Sequence, residues 1–156
     1  MIICDTREKK NSHVLSYFGR NGIQYEIRTM DTADYMDPDR PGVLVDRKRN
    51  LDELAANLCT RDSGRFWREI ARSKDMGARL VVLCEHGGQY RSIEDVKAWR
   101  SKYSRITGRM LASRMYKAHI AYGVEFLFCS KRQTGRMIAE ILAESPECPE
   151  MPTESP

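Results

Sequence analysis

The chain has 156 residues, room for one domain with a real core and too little for two full ones. Its 26 Lys and Arg against 22 Asp and Glu leave a formal charge of +4, and 41% of its residues are hydrophobic. That balance excludes an acidic disordered chain. No apolar run approaches the ~20 residues of a membrane span, and Met1-Ile2-Ile3-Cys4-Asp5 lacks the basic-then-apolar start of a signal peptide. A soluble, intracellular protein is the expectation. The five cysteines are an odd number with no C-x-x-C pair, so a disulfide framework or a zinc site is not expected. Cys4, Cys84 and Cys129 end apolar runs and read as small core hydrophobes.

In chain order, Met1–Asp5 reads as a short strand and Ser12–Arg20 as a helix with Val14, Leu15 and Phe18 on one side. Tyr25–Arg28 is a second strand. Residues 33–36 lead through the turn Asp37-Pro38-Asp39-Arg40-Pro41-Gly42 into a strand over Val43–Lys48, naturally as an antiparallel pair. Leu51, Leu54, Ala55 and Leu58 carry helical spacing. A further helix follows Asp62, with Phe66, Ile70 and Ala71 as its inner stripe, ending at Gly77. Arg79–Cys84 is the clearest core strand, a continuous apolar run. Ser92 to about Tyr122 reads as mainly helical and basic. Val124–Cys129 is a last strand and Gln133–Ala143 a last helix. Residues 1–144 form the predicted domain. Residues 145–156, Pro- and Glu-rich and without a basic residue, read as a disordered tail. The alternation predicts an α/β fold, a central mixed sheet flanked by helices.

The chemical signal lies in the first third. Asp46 and Lys48 are two apart on a strand and project to one face. The hairpin partner brings Asp34, and the first strand brings Asp5, with Arg7 and Glu8 just beyond it. Four carboxylates converging on strand ends repel one another unless a cation joins them. Oxygen donors without His or Cys suit Mg²⁺, with Mn²⁺ as a substitute. Such an ion would polarise a phosphodiester and lower the pKa of water, while Lys48 orients that water or stabilises charge on the phosphoryl oxygens.

Asp5-Thr6-Arg7-Glu8, then Ala33-Asp34-Tyr35, then Val45-Asp46-Arg47-Lys48 with Asp52 following, resembles the nuclease domain of XPF-type structure-specific endonucleases. That family belongs to the PD-(D/E)xK nucleases, and its pattern is D-x-R-E … G-D-Y … V-E-R-K-x-x-x-D-L. The resemblance covers residues 1 to about 144. It implies a restriction-endonuclease-like fold and metal-dependent cleavage of branched or structured DNA in recombination, repair or replication. By the same resemblance, Asp34 and Asp46 would be the metal ligands, with the Arg47 carbonyl as a third. Lys48 would be the catalytic lysine, and Asp5, Arg7 and Glu8 an outer catalytic shell. The chain departs from the pattern at Ala33, where the family has glycine, and at Asp46, where it has glutamate. Glu53 stands at the family leucine and Leu54 follows. XPF-type enzymes of cells usually carry a tandem helix-hairpin-helix domain; its absence here suggests a stand-alone version of phage or mobile-element type, acting in the cytoplasm of a bacterial or phage-infected host.

Between Lys97 and Lys117 lie seven basic residues and no acidic one, with Trp99, Tyr103 and Tyr116 interleaved. A one-sign surface suits phosphate, and aromatics beside it suit unpaired bases. Lys102, Arg105 and Arg109 are the candidate DNA contacts there, while Trp99, Met110, Leu111 and Met115 are expected to face the core. Arg61 and Arg65, at helical spacing, are a second candidate pair. The competing readings are a non-catalytic DNA-binding or scaffolding subunit, and an RNA-processing nuclease. In the family the nuclease domains pair. Here the helix with Met137, Ile138, Ile141 and Leu142 offers more apolar surface than one sheet face requires, so a homodimer or a related nuclease subunit is expected as partner.

Overall fold

A computed structural model of the chain describes residues 1–144. The proposed tail, 145–156, lies outside the described residues. The strands β1 (Ile2–Asp5), β2 (Tyr25–Arg28), β3 (Tyr35–Met36), β4 (Val43–Lys48), β5 (Arg79–Glu85) and β6 (Glu125–Cys129) form one sheet in the order β2-β1-β3-β4-β5-β6. β1 runs parallel to β2, and β4, β5 and β6 run parallel to one another. The short β3 is antiparallel to both β1 and β4. This is the mixed sheet that the turn at 37–42 predicts.

Helices cover both faces. Parallel neighbours need crossover connections, and here these are α2 (Leu51–Cys59) with α3 (Gly64–Asp75), then α4 (Ile93–Val96) with α5 (Gly108–Tyr122). They pack on one face, over Leu44, Leu80, Val82 and Cys84. The other face carries α1 (Ser12–Arg20) and α6 (Thr134–Ala143), over Ile2, Val43, Val45, Val81 and Leu83. The two-residue period of a strand therefore sorts β4 by chemistry. Leu44 continues into Asp46 and Lys48 on the α2/α3/α5 face. Val43 and Val45 continue into Arg47 on the α1/α6 face.

Two expectations change. Residues 97–107 are not helical: α4 stops at Val96, and an isolated antiparallel bridge joins Arg100 to Thr107. Thr107 then caps α5, its side chain accepting from Met110 N, so the basic segment divides into a closed loop and a helix. The apolar side of α6 also packs mainly within the chain. Ile138, Ile141 and Leu142 are buried in the core, and Met137 and Ala139 pack on the same cluster. A helix packed on a sheet buries such a stripe, while Met137 and Ala139 stay partly exposed. Among the described residues, no helix is long and apolar enough to cross a membrane. Cys4, Cys84 and Cys129 are free and buried, as core hydrophobes are.

Candidate active site

A cleft of about 340 Å³ opens where β1, β3 and β4 end, with α2 and α3 as its far wall. Its floor is the charged end of β4. Asp46 and Lys48 are both buried, and their side chains meet at 3.0 Å. Lys48 Nζ also sits 4.3 Å from the centre of the Phe66 ring, contributed by α3, a cation–π distance. Burial works against the lysine's charge, but Asp46 and then Asp34 outweigh it and hold the pKa of Lys48 above its ordinary value.

Asp34 is placed by main-chain bonds on both sides. Its N–H donates to Val45 O at 2.9 Å, and its carbonyl accepts from Asp5 N at 2.8 Å. Its Oδ2 accepts from Arg47 N at 2.8 Å. Ala33 enters this position at φ 62°, the left-handed region that glycine adopts freely and a Cβ opposes. This accounts for the glycine in the XPF-type pattern: the chain must turn there to aim the aspartate. Burial, then the charges of Asp46 and Glu8, push the Asp34 carboxyl well above its ordinary value. The Lys48 charge opposes this shift without cancelling it.

The residues present fit a hard divalent cation. Asp46 Oδ1 is buried and meets Lys48 Nζ at 3.0 Å without a well-formed hydrogen bond, which suits an oxygen whose charge a cation would complete. The donors are all oxygen, which selects Mg²⁺ or Mn²⁺ over softer ions. Asp5, Glu8, Asp34 and Asp46 all line the one cleft, as expected from the sequence. Among the described residues, no three His, Cys, Asp or Glu side chains are grouped to hold a metal ion. Two carboxylates are what Mg²⁺ commonly takes from protein, with phosphate and water completing its shell.

Asp5 and Glu8 line the cleft, but their oxygens are engaged elsewhere. Asp5 Oδ1 accepts from Met30 N at 2.9 Å and Oδ2 from Arg7 Nε at 2.8 Å, while Arg7 Nη2 donates to Met30 O. Glu8 takes the Arg47 guanidinium in a two-pronged pair, with Nε at 2.8 Å and Nη2 at 3.0 Å, and also accepts from Tyr35 Oη. Arg47 further donates to Lys9 O at 2.7 Å and to Glu85 Oε1. Glu85 Oε2 then meets His13 Nε2 at 2.6 Å and Thr134 Oγ1 at 2.5 Å. Burial alone would raise the Glu85 carboxyl, but the Thr134 hydroxyl and Arg47 overcome it and hold the pKa below its ordinary value. This network ties β1, β4, β5, α1 and α6 together beneath the cleft.

Sequence reasoning missed several wall residues. Glu69 faces the cleft from α3, where burial and the Asp46 charge push its carboxyl upward. The signal was its position three after Phe66, on the side of α3 turned toward Lys48. Glu53, Asn57 and Asp62 also line the cleft. Glu53 belongs to the start of α2: Asn50 Oδ1 accepts from Glu53 N, and the Glu53 carboxylate accepts from Arg49 N. That capping exchange and the full burial of Leu54 explain why glutamate occupies the family leucine's place. Asp52 is not in the cleft wall; its Oδ1 accepts from Ser101 Oγ at 2.6 Å. Among the candidate DNA contacts, Arg65 lines the cleft. Arg61, Lys102, Arg105 and Arg109 are exposed outside it. Trp99, Leu111 and Met115 are buried as expected, but Met110 is 49% exposed, because it falls on the outer side of α5.

A mixed six-stranded sheet sandwiched by helices is a restriction-endonuclease-like fold. The ERCC4 domain family matches residues 4–141, and the chain belongs to that family. Among solved structures, XPF from Aeropyrum pernix is similar at a TM-score of 0.68 and 20% identity, over 90% of this chain and 62% of that one. XPF from Aeropyrum pernix in complex with DNA is similar at 0.65 and 19%, over the same shares. The chain thus spans less than two thirds of that protein's resolved length. No curated protein matches the sequence.

Proposed function

We propose that this chain is a divalent-metal-dependent DNA endonuclease that hydrolyses phosphodiester bonds in branched or otherwise structured DNA during recombination, repair or replication. The observation that carries the reading is the buried Asp46 together with Asp34 and Lys48 in one cleft, with an Asp46 oxygen buried and without a well-formed hydrogen bond. A binding module gains nothing from burying repelling carboxylates. Asp34, Asp46 and the Arg47 carbonyl would hold Mg²⁺ or Mn²⁺, which supplies charge neutralisation at the scissile phosphate and a lowered pKa for water. Lys48, kept protonated by Asp46, stabilises charge as it builds on the phosphoryl oxygens. Arg7, half-exposed at the rim, contacts phosphate, and Asp5 positions it. Glu8 positions β4 through Arg47. Arg61, Arg65, Lys102, Arg105 and Arg109 neutralise the DNA backbone on either side. The DNA complex formed by the Aeropyrum protein supports nucleic acid as the ligand of this surface.

The experiment is cleavage of a panel of linear duplex, flap, fork and four-way-junction DNA, with single-stranded RNA alongside, in Mg²⁺, Mn²⁺ and EDTA. Metal-dependent cutting confined to the branched substrates is expected. Tight DNA binding without cutting in either metal would instead define a scaffolding subunit, and cutting of RNA alone an RNA nuclease. The proposal includes a second copy or a related subunit on the other arm of the substrate; sedimentation with and without fork DNA measures this, and a monomer in both states overturns it. The working place of such an enzyme is inside the cell, where its DNA is.

A further inference from the structure

Of the three aromatics interleaved with the basic segment, the structure leaves one free. Trp99 is buried at 6% exposure, and Tyr116 is bonded through its hydroxyl to Glu94. Tyr103 is 86% exposed, more than any other large apolar side chain among the described residues. An exposed apolar residue on a floppy loop would need no explanation. This loop is held closed. The Arg100–Thr107 bridge shuts its neck, and Ser101 N donates to Ile106 O. Inside, Ser101 Oγ accepts from Tyr103 N and from Ser104 N, each at 3.1 Å, while donating to Asp52 Oδ1 at 2.6 Å. Gly108 seals the base: a Cβ there would lie 2.1 Å from Val96 O and 2.4 Å from Trp99 O. The backbone carrying Tyr103 is therefore anchored to the second residue of α2, next to Glu53 of the cleft wall.

Resting on the nuclease reading above, we propose that Tyr103 is a base-stacking residue that selects DNA carrying an unpaired base. A phenol ring offers a π-face to any base, so stacking is indifferent to sequence but requires the base to be out of its duplex. Lys102 and Arg105 flank the ring, and both are exposed, so the phosphates around the stacked base meet positive charge. A backbone already held in place loses little conformational freedom when the ring it carries is stacked. This loop thus reads structure where the cleft reads only phosphate.

The test is DNA binding in EDTA by wild type, Tyr103→Ala, Tyr103→Phe and Tyr103→Trp, on a fork and on a blunt duplex of the same sequence. 2-Aminopurine at the first unpaired position reports stacking. Loss of one base–aromatic stack lowers affinity by roughly tenfold. Tyr103→Ala is expected to shrink the fork-over-duplex preference by about that factor and to abolish 2-aminopurine quenching. Phe and Trp should retain both, since the ring face is what acts. Unchanged preference and quenching in Tyr103→Ala overturn the role of Tyr103, and so does an equal loss on fork and duplex. If wild type binds neither DNA, the nuclease reading itself fails, a result distinct from wild type binding both with the variants identical. The melting temperature of Tyr103→Ala should match wild type, because the side chain is in solvent.

Discussion

Arg47→Ala should unfold the domain before it stops any chemistry. The guanidinium side chain is 1% exposed and lies between Glu8 and Glu85, themselves 7% and 5% exposed. It spends its donors on both Glu8 oxygens, Lys9 O and Glu85. Truncation to alanine leaves two buried carboxylates without their cation and a void where the side chain lay. Removing one partner from a buried pair costs about 3–5 kcal/mol, a large share of the ~5–15 kcal/mol that holds a domain together. At roughly 2–4 °C per kcal/mol for a chain of this size, the melting temperature falls by roughly 6–20 °C. The sign with pH is diagnostic. In wild type the Glu85 carboxyl is held below its ordinary value, so its contribution is present above that value and lost as pH falls through the lowered one. In the variant, Glu85 loses the Arg47 charge that opposes its burial, so its carboxyl moves upward and the stability it contributes above the ordinary carboxylate range shrinks. The difference between the two proteins should widen from pH 5 to pH 8. Urea melts across that range measure it. A variant as stable as wild type at pH 8, but catalytically dead, would refute the structural role and return Arg47 to the chemistry.

Asp46→Asn should abolish metal-dependent cutting and Mn²⁺ binding by calorimetry while DNA binding survives; retained Mn²⁺ affinity would remove Asp46 from the site. Asp34→Asn should do the same and also melt higher than wild type in metal-free neutral buffer. The raised Asp34 carboxyl costs stability as pH rises above the ordinary carboxylate range, and asparagine removes that cost. Lys48→Ala should slow single-turnover cutting by about 10²-fold or more without weakening Mn²⁺ binding, since a cation leaves the ion's neighbourhood; loss of both would make the lysine structural. Ala33→Gly should be nearly neutral. Relief of about 1–2 kcal/mol of left-handed strain is offset by the ~0.5–1 kcal/mol that glycine loses in backbone entropy and by about 0.8 kcal/mol for the buried methyl. A fall in melting temperature beyond about 5 °C would show that the turn is not strained at φ 62°.

The sequence by itself determined the sheet and the identity of its charged end. Val43–Lys48 could be read as a core strand turning into charge because a strand alternates faces with a period of two, a local property. The continuous apolar run of β5 announced a strand buried on both sides for the same kind of reason. The split of 97–107 from α5 was not legible by periodicity, since helix and loop there share one basic composition; the boundary is made by Thr107 and by the carbonyls that close on Gly108. Nor could spacing separate Asp34 and Asp46 from Asp5 and Glu8, because all four are acids near strand ends. Only the tertiary structure decided that Arg47, on the opposite face of β4, claims Glu8 together with Glu85, thirty-eight positions away. Which carboxylates stay open to a cation depends on which buried cations have already taken their neighbours, and that pairing is made between elements far apart in the chain, where no local pattern records it.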